Sequence, residues 1–170
     1  MHIQCSKKML DFLKPVLTEK DTDDDLFAWH ANYETILRKK FFILMNDVTR
    51  FCVFLYGLKK SDFQDPIFPF QKAILIAMSM EGYDKELILK YVNGIKEVTY
   101  GPTKNRTLVS QMNRAMIDAD WFAHDELVDD VHQPELCHRL NDGIVGTDHG
   151  KKWHVPQEKM LECLKLLFAE

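Results

Sequence analysis

The sequence predicts one α+β domain over residues 1–170, a mainly antiparallel sheet packed by several helices. Short apolar segments separated by polar turns fill the first third of the chain, which is typical of consecutive strands. Apolar residues at helical spacing dominate the remainder. The 170 residues are 46% hydrophobic, enough for one sizeable core, and the sequence contains no internal repeat or clear domain boundary.

The strand predictions concern the N-terminal third. Met1 to Cys5 has the pattern of a short strand, and Ser6 can cap a short helix that ends at Pro15. The polar segment Arg38 to Lys40 is predicted to be a turn. Three later segments with short polar connections predict an antiparallel meander: Leu26 to Ile36, Phe41 to Met45 and Phe51 to Tyr56.

Most of the remaining chain is predicted to be helical. Glycine and proline residues bound the apolar segments, as expected at helix ends. The segment Lys96 to Tyr100 is predicted to be one further strand. The predicted helices are Pro69 to Met80, Leu87 to Val92, one that carries Leu108 to Ile117, and one that begins at Pro156.

The composition argues against several classes of protein. The chain carries 22 Lys and Arg against 26 Asp and Glu, a formal charge of -4, so it lacks the basic excess typical of duplex-binding proteins. Its apolar segments are far shorter than the roughly 20 residues of a bilayer span, and no leader-like apolar region follows the first residues. The four cysteines are scattered without a paired motif, which is typical of a reducing compartment. We therefore expect a cytoplasmic protein with no membrane partner.

The first candidate for chemistry is the polar side of the strand Leu26 to Ile36. His30, Asn32 and Glu34 alternate with apolar residues, so a base, an amide and an acid project from one surface. Polar residues at period two are also the ordinary pattern of a half-exposed edge strand. Both a ligand-binding surface and a solvated strand fit this pattern.

The second candidate is the start of the helix that follows Pro102. Free backbone N–H groups at a helix start favour anions, and Lys104 and Arg106 add charged donors for a phosphate or carboxylate. Asn105 is also an ordinary helix cap, and Arg106 is equally suited to a structural ion pair. Asn113 lies farther along the same helix, facing either solvent or an adjoining cleft.

The sequence contains no recognisable motif for a metal or cofactor site. Five of the seven histidines lie between residues 124 and 154, but their spacing matches no known metal motif. The acidic run from Thr18 to Asp25 lacks the glycine spacing of a calcium loop and is predicted to be a solvated loop. The sequence contains no nucleophile-elbow, Walker A or dinucleotide-binding motif. We therefore expect no metal site and no cofactor, and the sequence assigns no catalytic residue.

Several short motifs occur together in a known family. They are Trp29-His30-Ala31-Asn32, Arg38-Lys39 before an apolar strand, Tyr56-Gly57, Asn105-Arg106-Thr107 with Met112-Asn113, and Leu140-Asn141. In this order they resemble a bacterial domain family of unknown function, over most of residues 1 to 145. The chain departs from the family pattern at Ser110, Gln111 and Arg114, where the family favours Gly, Ser and Asp. The resemblance implies a fold but no reaction.

Three functions stay open on the sequence. The first, which the absence of catalytic motifs favours, is a non-catalytic binding or interaction module. The second is a small enzyme in which Lys104 and Arg106 hold an anionic substrate and His30 with Glu34 acts as acid and base. The third is nucleic-acid binding in a regulatory or defence setting, through basic residues at neighbouring turns. Those residues are Arg38, Lys39, Lys40, Lys59 and Lys60. The expected partner is a small anionic ligand or a protein, and the oligomeric state is open.

Overall fold

The computed structural model describes residues 1–19, 25–147 and 150–169, which form the predicted α+β fold. The α-helices are α1 (Lys7–Leu13), α2 (Ile67–Met80), α3 (Lys85–Gly94), α4 (Arg106–Glu126), α5 (Pro134–Asn141) and α6 (Pro156–Leu167). The strands are β1 (His2–Cys5), β2 (Ala28–Ile36), β3 (Lys39–Asn46), β4 (Cys52–Tyr56), β5 (Thr99–Pro102), β6 (Val145–Thr147) and β7 (Lys152–His154). Among the described residues, no helix combines the length and the apolar character needed to cross a membrane.

The main sheet is mixed. Its five strands lie in the order β4-β3-β2-β1-β5, and β2, β3 and β4 form the predicted antiparallel meander. β1 pairs in parallel with both β2 and β5, so the sheet is not purely antiparallel. α1 lies between β1 and β2 in the chain, where a parallel pair requires a crossover connection. β6 and β7 form a separate antiparallel hairpin.

Some element boundaries differ from the sequence predictions. The turn between β2 and β3 lies at Leu37 and Arg38, both of which have positive φ, whereas Lys39 and Lys40 belong to β3. The predicted turn is therefore displaced, because two left-handed residues are enough to close a hairpin. The strand expected from residue 96 begins only at Thr99, where pairing with β1 starts. The apolar pattern does not predict α5 or the β6–β7 hairpin.

Helices cover both faces of the sheet. On one face, the indole Nε1 of Trp29 in β2 donates to the hydroxyl of Tyr91 in α3 at 3.1 Å, and both side chains are fully buried. On the opposite face, α4 packs across β2 and β3 and buries Met112 and Met116. β2 is therefore a central strand, which corrects the expectation that its polar residues line a solvated edge strand.

The outer edge of β4 is covered by α5. The Asn141 side chain accepts a hydrogen bond from the backbone N–H of Cys52 at 2.7 Å and donates to the carbonyl of the same residue at 2.9 Å. The backbone N–H of Phe54 donates to the sulfur of Cys137 at 3.3 Å. These side chains take the place of a neighbouring strand, so they protect the edge from pairing with another chain.

Candidate functional site

Helix α4 begins just beyond the end of β5, at a depression in the surface. β5 ends at Pro102, and the Asn105 side chain accepts hydrogen bonds from the backbone N–H groups of Thr107 at 3.0 Å and Leu108 at 3.1 Å. This N-cap sets the start of α4, because it satisfies donors that have no partner within the helix. Asn105 thus has the capping role that its residue type favours.

The depression has a volume of about 610 Å³ and follows the exposed side of the first turns of α4; we call it the α4 depression. Lys104, Arg106 and Arg114 give it three positive charges, and none of the described residues that line it is acidic. Arg114 also pairs with Asp118 one turn farther along, with Nε and Oδ1 3.0 Å apart. The lining residues are Thr103, Lys104, Asn105, Arg106, Val109, Ser110, Asn113, Arg114 and Ile117.

Two of these cations lie where a helix disfavours them. Lys104 precedes α4 and Arg106 is its first residue, while the first turn, Arg106 to Val109, contains no acidic residue. The free N–H groups at a helix N-terminus carry partial positive charge, so acidic side chains stabilise this position and cations destabilise it. A bound anion would compensate both the two side chains and the helix end.

The exposed side of α4 continues into an apolar surface. Ile117 is 64% exposed and Trp121 is 80% exposed. Residues four apart on a helix project from the same side, so the two side chains are neighbours. Tryptophan and arginine are the residues most often responsible for binding energy between proteins. We call this surface the α4 face and define it by Lys104, Arg106, Arg114, Ile117 and Trp121.

A second polar cluster lies inside the fold, on the opposite side of the sheet from Trp29. His30 is fully buried, and its Nδ1 lies 2.6 Å from Oδ1 of Asp47. The other carboxylate oxygen of Asp47 accepts from the Gln4 side chain at 2.7 Å. Nε2 of His30 is buried without a hydrogen-bond partner among the described residues. Aspartate orients a catalytic histidine in the same way in known enzymes. Nε2 of His30 is buried away from solvent, however, so a substrate cannot reach it in this structure.

The turn between β3 and β4 places Asp47 in this cluster. The buried Asn46 side chain accepts from the backbone N–H groups of Val48 at 3.1 Å and Thr49 at 3.0 Å, and donates to two backbone carbonyls near the start of β2. Arg50 ends the turn in the left-handed region, with φ of 63°. These bonds leave the turn few alternative conformations, so the positions of Asp47 and Arg50 are set by the backbone.

The sequence matches the family described as Domain of unknown function (DUF6933) over residues 2–159. The chain belongs to this family. A comparison with curated proteins found no match. The matched range contains α4, the residues that precede it and the buried cluster around His30, so both polar sites lie within the family domain.

Four of the six residues predicted to bind a ligand line the α4 depression. They are Lys104, Asn105, Arg106 and Asn113. Asn32 lies beside them, because its Nδ2 is 3.4 Å from Oδ1 of Asn113, while its own Oδ1 accepts from the Ser6 hydroxyl at 2.6 Å. His30 lies apart from this group, in the buried cluster with Asp47.

The described histidines of the segment from residue 124 to 154 do not converge on one point. Among the described residues, no three His, Cys, Asp or Glu side chains are placed to hold a metal ion. His138 pairs with Glu81, His154 lies 2.8 Å from the carbonyl oxygen of Thr49, and His124 is exposed. Residue 149 and most of the acidic run, residues 20–24, lie outside the described residues.

Sequence patterns did not identify every residue of the two sites. Trp121 carries a usable pattern, since Ile117 and Trp121 form an apolar pair at i, i+4 away from the buried stripe of α4. No sequence pattern identifies Asp47, because its residue type indicates only a turn and its partner His30 lies 17 residues away. Arg114 is visible in the sequence only as a departure from the family pattern.

Proposed function

We propose that the protein is a non-catalytic interaction module that binds an acidic segment of a partner protein on the α4 face. The observation that carries the proposal is the α4 depression, lined by three cations and by no acidic described residue, at a helix end that disfavours cations. Carboxylates of the partner would pair with Lys104 and with the planar guanidinium of Arg106, which suits bidentate pairing. Arg114 is already paired with Asp118 but keeps further donors for the partner.

The apolar half of the α4 face adds a second requirement for the partner. Ile117 and Trp121 are exposed next to the cations, so the bound segment needs apolar side chains beside its acidic ones. Burying an exposed tryptophan contributes more affinity than a solvent-exposed ion pair does. Charge complementarity instead determines orientation and association rate. We therefore assign affinity mainly to Trp121 and selectivity for acidic segments to the arginines.

The surroundings of the other polar residues favour binding over catalysis. The enzyme hypothesis requires His30, Glu34 and Arg106 around one substrate. His30 is fully buried, Glu34 pairs with Lys8 at 2.6 Å on the surface, and Arg106 lines the α4 depression. These are three separate surroundings, which supports the interaction module as the better hypothesis.

The basic residues near the β2–β3 turn give less support to nucleic-acid binding. Lys39 pairs with Asp129 and lies over the ring of Tyr56. The Nζ of Lys40 lies 4.8 Å from the ring centroids of both Phe12 and Tyr33. Phosphate binding needs cations that are free to neutralise phosphates, and these two lysines already have partners within the fold.

An amide NMR titration with a synthetic peptide tests the proposed function. The peptide alternates pairs of glutamate with leucine and phenylalanine, and a matched peptide carries glutamine at each glutamate. We expect shifts of the amide signals from Thr103 to Ile117 and of the Trp121 indole, with the buried Trp29 indole unchanged. The glutamine peptide should bind about tenfold more weakly, because it lacks the charges that the arginines recognise.

Charge-reversal variants supply the controls. The double variant Arg106→Glu with Arg114→Glu should weaken binding of the glutamate peptide by about tenfold or more. Lys72→Glu reverses one exposed charge in the middle of α2 and should leave binding unchanged. Equal weakening by Lys72→Glu, tighter binding of a thymidine oligonucleotide than of the glutamate peptide, or an absence of shifts on the α4 face would each contradict the proposal.

A further inference from the structure

A second cavity lies on a neighbouring flank of α4. It has a volume of about 500 Å³ and is enclosed by α4, by β3 and β4, and by the segment that follows α5. Pockets that hold small molecules have volumes of roughly 300–1,000 Å³. Three arginines from three different elements line it: Arg50 after the β3–β4 turn, Arg114 on α4 and Arg139 on α5. We call it the arginine cleft, defined by these three residues.

Apart from Gln111 and Asp118, the rest of the arginine cleft is largely apolar. Side chains from β3, from α4 and from the α5–β6 segment form this part of its wall. They include Met45, Ala115, Phe122, Leu140, Ile144 and Val145. Small-molecule sites typically combine an apolar wall with a few convergent polar groups. The cleft therefore suits a molecule that has an apolar body and a charged end.

Arg50 is the arginine whose charge is left uncompensated. Its Nε donates to Oε1 of Gln111 at 2.5 Å, and its Nη1 donates to the carbonyl oxygen of Asp47. Both partners are neutral, and among the described residues no carboxylate forms an ion pair with Arg50. The carboxylate of Asp47 is bound to His30 and Gln4 instead. A guanidinium has five donors, so Arg50 keeps donors for an anion.

Burial makes an anion favourable at this position. Arg50 is half-buried, and burial lowers the pKa of its guanidinium, an effect that the nearby charge of Asp47 partly opposes. A partly buried charge without an ionic partner destabilises the fold, so a bound anion offsets that cost. The left-handed backbone of Arg50, with φ of 63°, is a further local cost of the kind that clusters at ligand sites.

The other two arginines already have acidic partners. Arg114 pairs with Asp118, and Arg139 pairs with Glu126 while lying 4.8 Å from the ring centroid of Phe122. Three cations against these two acids leave one net positive charge near the cleft. This balance favours a ligand with a single negative charge over a polyphosphate.

We propose that the arginine cleft binds a small amphipathic carboxylate, with the carboxylate on Arg50 and the apolar body against Met45, Phe122 and Leu140. This site shares Arg114 with the partner surface proposed above, but the carboxylate binds Arg50, so the proposal does not depend on that surface. Cys52 also lines the cleft, but burial raises the pKa of its thiol, so the nucleophilic thiolate is disfavoured. The ligand is therefore held without a covalent step.

Calorimetric titration of the full chain with octanoate tests this site. Octanamide has the same apolar body without the charge and serves as the matched ligand. We expect octanoate to bind about tenfold or more tightly than octanamide, because Arg50 forms a charge-assisted bond only with the carboxylate. Equal affinities, or no heat of binding with octanoate at millimolar concentration, would overturn the proposal.

Two variants locate the binding within the cleft. Arg50→Gln should lower octanoate affinity to that of octanamide, and circular dichroism checks that this variant folds. Ala115→Phe places a larger side chain in the cleft and keeps Arg50 and its acceptor Gln111, and it should abolish binding of both ligands. Lys72→Gln is the matched control, because Lys72 is exposed on α2 and does not line the cleft, and it should change neither affinity. Octanoate binding that survives Ala115→Phe would overturn the assignment.

Discussion

Individual side chains of this protein often join elements that are far apart in sequence. Asp47 shows this most clearly, because its two carboxylate oxygens bind the side chains of Gln4 in β1 and His30 in β2. The acid comes from the β3–β4 turn, so one residue connects three parts of the sheet. Removing a buried partner of this kind costs more than the hydrogen bond itself, since the groups left behind are unsatisfied.

His138 and Glu81 form a second such connection, between α5 and the end of α2. Nδ1 of His138 lies 2.8 Å from Oε2 of Glu81, whose side chain is fully buried while that of His138 is 44% exposed. The hydrogen bond that His138 donates to the Glu81 carboxylate raises the pKa of His138 above its ordinary value of 6.5, and partial burial opposes the shift. Burial also raises the pKa of Glu81, with His138 opposing that change.

The raised pKa of His138 predicts a pH-dependent contribution to stability. A group whose pKa is higher in the folded state stabilises the fold fully below its unfolded pKa, and the contribution is lost as the pH rises through the folded pKa. We therefore expect His138→Gln to lower the free energy of unfolding more at about pH 5.5 than at about pH 8.5. Urea denaturation of both proteins at the two pH values measures the difference.

His124→Gln is the control for this prediction, because the His124 side chain is 90% exposed. Its effect on stability should be small and almost the same at both pH values. If His138→Gln instead destabilised the protein more at the higher pH, the ion pair with Glu81 would not be the cause.

At the scale of secondary-structure elements, α4 combines structural and binding roles on different sides. Its buried stripe, which includes Met112 and Met116, packs on the sheet. Its exposed side carries the α4 face, and a neighbouring flank contributes Ala115 and Phe122 to the arginine cleft. A helix of 21 residues makes nearly six turns, enough to display separate surfaces at once.

The N-terminus of α4 predicts opposite effects of one substitution on stability and on binding. Arg106→Glu places an acid in the first helical turn, so it should raise the free energy of unfolding by about 0.3–1 kcal/mol. The same change should weaken binding of the glutamate peptide. Urea denaturation combined with the NMR titration measures both effects.

The control for stability is again Lys72→Glu, in the middle of α2, where the helix ends have little influence. It should leave the free energy of unfolding within about 0.5 kcal/mol of the parent value. A destabilising effect of Arg106→Glu would show that Arg106 supports the fold, and the argument that its position reflects binding would fail.

At the scale of the whole molecule, groups outside the main sheet form hydrogen bonds with both of its edge strands. At the β4 edge, Asn141 binds both backbone groups of Cys52, and the carbonyl of Val131 accepts from the backbone N–H of Tyr56 at 2.8 Å. At the opposite edge, the carbonyl of Tyr100 in β5 accepts from the backbone N–H of Thr18 at 2.8 Å. Both edges are therefore engaged, which disfavours assembly by strand addition.

This arrangement predicts a large effect of Asn141→Leu. Leucine has a similar volume but leaves the buried N–H and carbonyl of Cys52 without partners, at a cost of about 1–3 kcal/mol for each group. We expect a loss of about 2–4 kcal/mol in the free energy of unfolding, together with concentration-dependent aggregation. Denaturant titration and light scattering measure the two effects.

Asn93→Leu is the matched control, because Asn93 is exposed on α3. It should change the free energy of unfolding by less than about 0.5 kcal/mol and cause no aggregation. Similar behaviour of the two leucine variants would show that the amide of Asn141 does not protect the β4 edge.

The sequence by itself determined the features that depend on near neighbours. Short apolar segments joined by polar turns, the first of them alternating in polarity, predicted the β2–β4 meander, and the antiparallel pairing of these strands confirms it. Asn105 predicted the start of α4, because a cap acts over two or three residues. Four of the residues predicted to bind a ligand also lie on one surface, because all of them belong to α4 or to the residues just before it. They are Lys104, Asn105, Arg106 and Asn113.

Only the tertiary structure decided which distant residues meet. The parallel pairing of β1 with both β2 and β5, the contact of His30 with Asp47, and the convergence of Arg50 with two other arginines all join separate parts of the chain. Local preferences act within about one helical turn or one strand pair. Contacts across longer separations are selected by how the helices and the sheet bury their apolar surfaces together, and that choice is a property of the whole fold.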